Sequence, residues 1–208
     1  MKIKVCGMRD PENIRAVEAL GIDIMGFIFW PGSGRYVSCL PDYLPQDCRR
    51  AGVFVDADPD AILAAVESFR LDYIQFHGKE TSAQMAAVRD RARAVNPAIR
   101  IIRSLSVADA EDLCRAAAYE EVCDVFLFDT KGRLPGGNGQ QFDWSVLEQY
   151  DGRKPFLLSG GIGPDDAERI KAFSAPGFIG IDLNSRFETA PGLKDVAALE
   201  TFIEKLRQ

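Results

Sequence analysis

Residues 2–20 read KIKVCGMRDPENIRAVEAL, and this phrase decides the fold. A short apolar run ends in a cysteine and a glycine. Asp10-Pro11-Glu12 follows at once. A capping side chain, a proline just inside a helix start and an acid in the first turn together mark a helix N-terminus. The phrase recurs: residues 52–69 read GVFVDADPDAILAAVESF, and residues 155–173 read PFLLSGGIGPDDAERIKAF. Strand-to-helix units spread from one end of the chain to the other imply a parallel sheet wound by helices.

Working outward from these anchors predicts eight strands, near residues 3–6, 24–29, 52–55, 73–76, 99–103, 125–128, 155–158 and 178–181. Helices are expected between them, including a weak one near residues 40–48, one over 108–118, a short one at 144–150 and a last one over 194–207. Eight such units in 208 residues predict an α/β chain forming a single-domain (β/α)8 TIM barrel over residues 1–208. The strands are short continuous apolar runs, as strands buried on both faces should be. An open doubly wound sheet would need fewer strands and usually a glycine-rich turn after the first; CGMRD is not GxGxxG.

Composition narrows the function. The net charge is −6, which argues against nucleic acid or an anionic membrane surface as partner. No run of about 18 apolar residues is present to span a bilayer. The N-terminal apolar run is too short for a signal peptide, so the expected location is cytoplasmic. The five cysteines form no CxxC pair and no zinc spacing, so no metal is expected. Reduced and mostly buried thiols are the ordinary reading of Cys39, Cys48, Cys114 and Cys123.

In such a barrel the chemistry lies at the C-terminal ends of the strands. Two features there are specific. LSGGIGP after the seventh strand and GIDLNSRFE after the eighth are adjacent loops, where barrels bind phosphate. Gly160 and Gly161 let backbone approach an anion, and Asn184, Ser185 and Arg186 add polar groups and charge. The second feature is Cys6 with Asp129, at the ends of strands one and six, which face each other across the mouth. Burial would raise the Asp129 pKa and local positive charge would lower that of Cys6, making a carboxylic acid and a thiolate base. On its chemistry alone, Cys6 is more often a packed core thiol. His77, the single histidine, either lines the site or holds a loop. Arg35, in the loop WPGSGRYVS, suits a carboxylate, and Arg103 is a weaker candidate of the same kind. Gly132, Gly136, Gly137 and Gly139 give the loop after strand six freedom to close over a ligand, with Gly137 a candidate lining residue.

Taken in order, KVCGM, GSGRYVS, IQFHG, FLFDTKG, GGNGQQFDW, LSGGI, GIDLNSRFE and APGLKD resemble the phosphoribosylanthranilate isomerase family of tryptophan biosynthesis. The resemblance implies a cofactor-free barrel that catalyses an Amadori rearrangement of a small phosphoribosyl substrate, as a monomer or homodimer. It implies Cys6 as general base, Asp129 as general acid, Arg35 on the substrate carboxylate, and Gly160, Gly161, Asn184 and Ser185 on the phosphate. The family usually reads Ser-Ser-Gly-Val-Glu where this chain has Asn184-Ser185-Arg186-Phe187-Glu188. Arg186 therefore either requires an adjusted backbone or adds a charge to the phosphate site. The rival readings are a related phosphosugar barrel, such as aminoimidazole ribonucleotide isomerase or indole glycerol phosphate synthase, and a barrel that binds a phosphosugar without turning it over. The first rival would carry an aspartate where Cys6 stands, and the second a lysine in the mouth.

Overall fold

The computed structural model describes residues 1–130 and 143–208. Eight parallel strands close a barrel in sequence order: β1 Lys2–Cys6, β2 Ile24–Ile28, β3 Arg49–Phe54, β4 Tyr73–Phe76, β5 Arg100–Val107, β6 Val125–Thr130, β7 Phe156–Leu158 and β8 Phe178–Leu183. β8 returns to β1, with Lys4 opposite Asp182. Six α-helices lie between and after the strands: α1 Pro11–Glu18, α2 Pro59–Ser68, α3 Ser82–Val95, α4 Ala110–Leu113, α5 Ala167–Ala172 and α6 Val196–Arg207. Two of the three proline phrases behave as read: Asp10 caps α1 by accepting from Asn13 N at 2.8 Å, and Asp58 caps α2 from Asp60 N at 2.8 Å, whereas α5 starts at Ala167, past the turn at Pro164, with no side-chain cap from Asp166.

Alternation along each strand splits the core in two. Outward residues such as Phe27, Phe54, Phe76, Phe126, Phe128 and Phe156 pack under the helices, each burial contributing about 2 kcal/mol. Inward residues Ile24, Ala51, Tyr73, Ile102, Val125, Leu127 and Leu157 plug the lower barrel. Above this plug the inward row turns polar, which places the site at the C-terminal end.

Several expectations need correction. No helix forms at residues 40–48. Pro45 cannot donate within a helix there, and the buried Glu18 carboxylate captures the segment instead, accepting from Tyr43 Oη at 2.5 Å, Asp47 N at 2.6 Å and Gln46 N. The helix expected over 108–118 is α4 followed by a 3-10 stretch, Cys114–Tyr119, and that at 144–150 is a 3-10 stretch, Trp144–Gln149. Lys194 does not open the last helix. It lies in a small hairpin of β9 Glu188–Ala190 and β10 Leu193–Lys194, and Asp195 caps α6 by accepting from Ala198 N at 3.0 Å. The glycine loop with Gly132, Gly136, Gly137 and Gly139 falls outside the described residues.

Candidate active site

A cavity of about 220 Å³ opens at the C-terminal end of the barrel. Its walls include Cys6, Arg35, Gln75, His77, Asp129, Gly160, Gly161, Asp182, Asn184, Ser185 and Arg186. Cys6 and Asp129 therefore face one cavity, as their strand positions predicted. The thiol has room because its neighbour in the ladder is Gly26; a Cβ there would stand 2.7 Å from Sγ.

The electrostatics under the thiol differ from expectation. Burial pushes the Cys6 thiol up, the nearby Lys4 and Lys194 ammoniums pull it down, Asp182 adds to the upward push, and the net shift is upward. The expected lowering by positive charge is present but outweighed. Lys4 is fully buried, and its Nζ donates to Asp182 Oδ1 at 2.8 Å. Burial opposes its charge, but Asp182 and Cys6 overcome that, so its pKa is raised.

His77 Nε2 lies 3.8 Å from Asp129 Oδ2. Burial, reinforced by Lys4 and Arg103, lowers the imidazole to about 4, so it is neutral at pH 7 and a poor proton acceptor. It suits a polar wall beside Asp129 better than a base. Gln75 donates from Nε2 to Ser104 Oγ at 2.9 Å, while its buried Oε1 has no hydrogen-bond partner among the described residues. An acceptor left unfilled at the floor of a cavity is a place for a ligand hydroxyl or a water.

Arg35 reaches the cavity edge but is held by Glu188. Nε donates to both carboxylate oxygens, at 2.9 and 3.0 Å, and Nη2 to Oε2 at 2.6 Å. Lys194 Nζ completes the cluster, donating to Glu188 Oε1 at 2.6 Å and Asn184 Oδ1 at 2.7 Å. Although burial opposes it, the Arg35 and Lys194 partners hold the Glu188 carboxyl below its usual value. Gly7, at φ +82°, makes room under the arginine: a Cβ there would meet Arg35 Cδ at 2.7 Å.

Gly160 and Gly161, also in the cavity wall, have φ of +92° and +69°, a conformation costly for any other residue. Arg186 sits in a 3-10 turn, Ser185–Phe187, and is not among the residues with positive φ. Arginine at this position therefore needs no left-handed backbone. Its guanidinium lies over Gly163, where a Cβ would stand 3.3 Å from Nε.

The family model for N-(5'phosphoribosyl)anthranilate (PRA) isomerase matches residues 3–205. This chain belongs to the N-(5'-phosphoribosyl)anthranilate isomerase family. It is 50% identical to the N-(5'-phosphoribosyl)anthranilate isomerase of Phocaeicola vulgatus, covering 100% of this chain and 98% of that one. It is 43% identical to that of Parabacteroides distasonis over 99% of this chain and 93% of the relative. Among solved structures, the phosphoribosyl anthranilate isomerase from Thermotoga maritima superposes with a TM-score of 0.83 at 30% identity, over 100% of this chain and 98% of that one. A phosphoribosyl anthranilate isomerase in complex with reduced 1-(o-carboxyphenylamino)-1-deoxyribulose 5-phosphate superposes with a TM-score of 0.80 at 28% identity.

Within this family's barrel, one predicted residue stands elsewhere. Arg103 does not line the mouth. Ser104 takes the inward place on β5, so Arg103 points outward, donating to Glu80 Oε2 at 2.8 Å and Gly78 O at 3.0 Å, with Tyr119 stacked at 4.6 Å. It braces the β4–α3 connection. Sequence alone assigned no role to Lys4, Gln75, Asp182, Glu188 or Lys194, although Gln75 and Asp182 stand at strand ends. The signal for Lys4 and Gln75 was present: period-two alternation puts Lys4 on the row of Cys6, and Gln75 on the row of His77.

Proposed function

We propose that this mouth converts N-(5-phosphoribosyl)anthranilate to 1-(o-carboxyphenylamino)-1-deoxyribulose 5-phosphate, in tryptophan biosynthesis, with Asp129 as general acid and Cys6 as general base. One observation carries the reading: a thiol and a carboxyl face one cavity whose walls also carry Arg35, the Gly160–Gly161 pair and Arg186. That set of groups suits a substrate that carries both a carboxylate and a phosphate.

Arg35 receives the aromatic carboxylate, with Glu188 and Lys194 fixing the direction of its fork. Gly160, Gly161, Asn184, Ser185 and Arg186 receive the phosphate. Asp129 gives its proton to the ribose ring oxygen as the C1–O bond breaks, leaving an iminium at C1. That cation acidifies the C2–H bond, and the Cys6 thiolate takes the proton. The C–H electrons form the C1–C2 double bond of an enolamine. Protonation at C1 and loss of the C2 hydroxyl proton give the ketone. Neutral His77 forms a polar wall beside the acid, and Gln75 Oε1 offers an acceptor to a substrate hydroxyl.

Turnover of the phosphoribosyl amine by the purified chain, and complementation of a tryptophan auxotroph, test the activity. Cys6→Ala and Asp129→Asn should each lose about 10³-fold or more in turnover while folded. Near-normal turnover in both would overturn the mechanism.

A further inference from the structure

The mechanism needs a thiolate where burial favours the thiol, and it leaves unused a fully buried lysine directly below. Lys4 stands two residues before Cys6 on the same inward row of β1. Its ammonium is anchored by Asp182, its ladder partner in β8, at 2.8 Å. Cys6 is the next side chain up on that buried row, so the ammonium acts on the sulfur by its charge. Ser159 Oγ lies 3.5 Å from the other Asp182 oxygen. A buried ion pair is a poor source of stability compared with apolar residues, and the lower barrel is filled with apolar residues. The group that gains from a cation at this depth is the sulfur.

We propose that Lys4 is a positioning residue for the isomerisation: anchored by Asp182 beneath Cys6 on the same inward row, its ammonium stabilises the thiolate that takes the C2 proton. The inference rests on Cys6 being the base. The other charged groups acting on the thiol are Asp182 from β8 and Lys194 from β10; His77 on β4 and Asp129 on β6 share the cavity. Lys194 is also tied to Glu188 and Asn184, whereas Lys4 has Asp182 as its one salt-bridge partner among the described residues. Asp182 has two opposed effects: it anchors the cation and it raises the thiol. Removing the cation and removing the anion should therefore move the thiol in opposite directions, which a merely structural ion pair would not do.

The test follows alkylation by iodoacetamide against pH, read by mass spectrometry on the peptide bearing Cys6, beside kcat and KM. In Lys4→Met the alkylation midpoint should rise by about one pH unit, and kcat near pH 7.5 should fall about tenfold with KM within about twofold. In Asp182→Asn, which keeps an acceptor for Lys4, the midpoint should fall. Lys4→Met leaves a buried carboxylate unpaired and is expected to lose stability. The double variant Lys4→Met/Asp182→Leu removes both charges, and its midpoint should still exceed that of the wild type, by less. Equal midpoints in wild type, Lys4→Met and the double variant would overturn the inference. So would a shift of both single variants in one direction. Cys6→Ala separates the two levels: normal turnover there overturns the base assignment and this inference with it, whereas an inactive Cys6→Ala with invariant midpoints overturns the role of Lys4 alone.

Discussion

The two ends of the barrel are made by the same eight strands and treat charge in opposite ways. At the N-terminal end, Asp23, Asp72 and Asp124 stand immediately before β2, β4 and β6. Each accepts a backbone N–H from the neighbouring strand, from Ile3, Arg50 and Ile101, at 2.8 Å in every case. Lys2 and Arg49 cover two of these carboxylates from the solvent side. Their hydrogen bonds pin strand starts above water and below an apolar plug. At the C-terminal end the polar groups are buried and turned inward. A thiol is held above its ordinary pKa, an imidazole below, and an amide oxygen lacks a partner. Satisfied charge at one end contributes to the fold; incompletely satisfied polar groups at the other leave a place for a ligand.

Substitutions should separate the ends. Cys6→Ala is expected to lower kcat by about 10³-fold, the scale of a lost general base, while the thermal midpoint stays near that of the wild type. A steady-state assay beside calorimetry checks both halves. Arg35→Met should raise KM about 50-fold, more than it lowers kcat, because a bidentate partner for the carboxylate is lost. Initial rates at varied substrate measure the split.

At the other end, Asp72→Ala should cost about 1–2 kcal/mol of unfolding free energy in a urea titration, with kcat/KM unchanged, because it orphans the Arg50 N–H. An equal loss of activity would erase the distinction between the ends. The smallest effect concerns His77. Its folded pKa is lowered to about 4 from about 6.5, so the unfolded chain binds a proton that the folded chain refuses. Its contribution is complete above about pH 6.5 and is lost as pH falls toward 4. Between pH 7.5 and 5.5 the wild type should lose about 1 kcal/mol more than His77→Gln, read as the difference between their urea midpoints.

Much of the site was legible because it lies in strand order. Cys6, His77 and Asp129 end runs of apolar residues, and parallel strands all end at one rim. Arg103 was misplaced because its neighbour Ser104 competes for the inward position, and only the register decides which side chain turns in. The helix expected at residues 40–48 failed for a long-range reason: Glu18, more than twenty residues earlier, supplies acceptors that the local pattern does not reveal.

The sequence by itself determined the alternation of strand and helix, the capped helix starts, and the strand ends on which a thiol and a carboxyl could meet. These depend on contacts within a few residues, and hydrophobic period and capping chemistry record such contacts directly. Only the tertiary structure decided what surrounds the thiol. Closure of the ring brings Asp182 to Lys4 across 178 residues, and Glu188 to Arg35 across 153. Side chains that distant share a charge network only once β8 has paired with β1, so the field at Cys6 belongs to the closed barrel and not to the phrase KIKVCG.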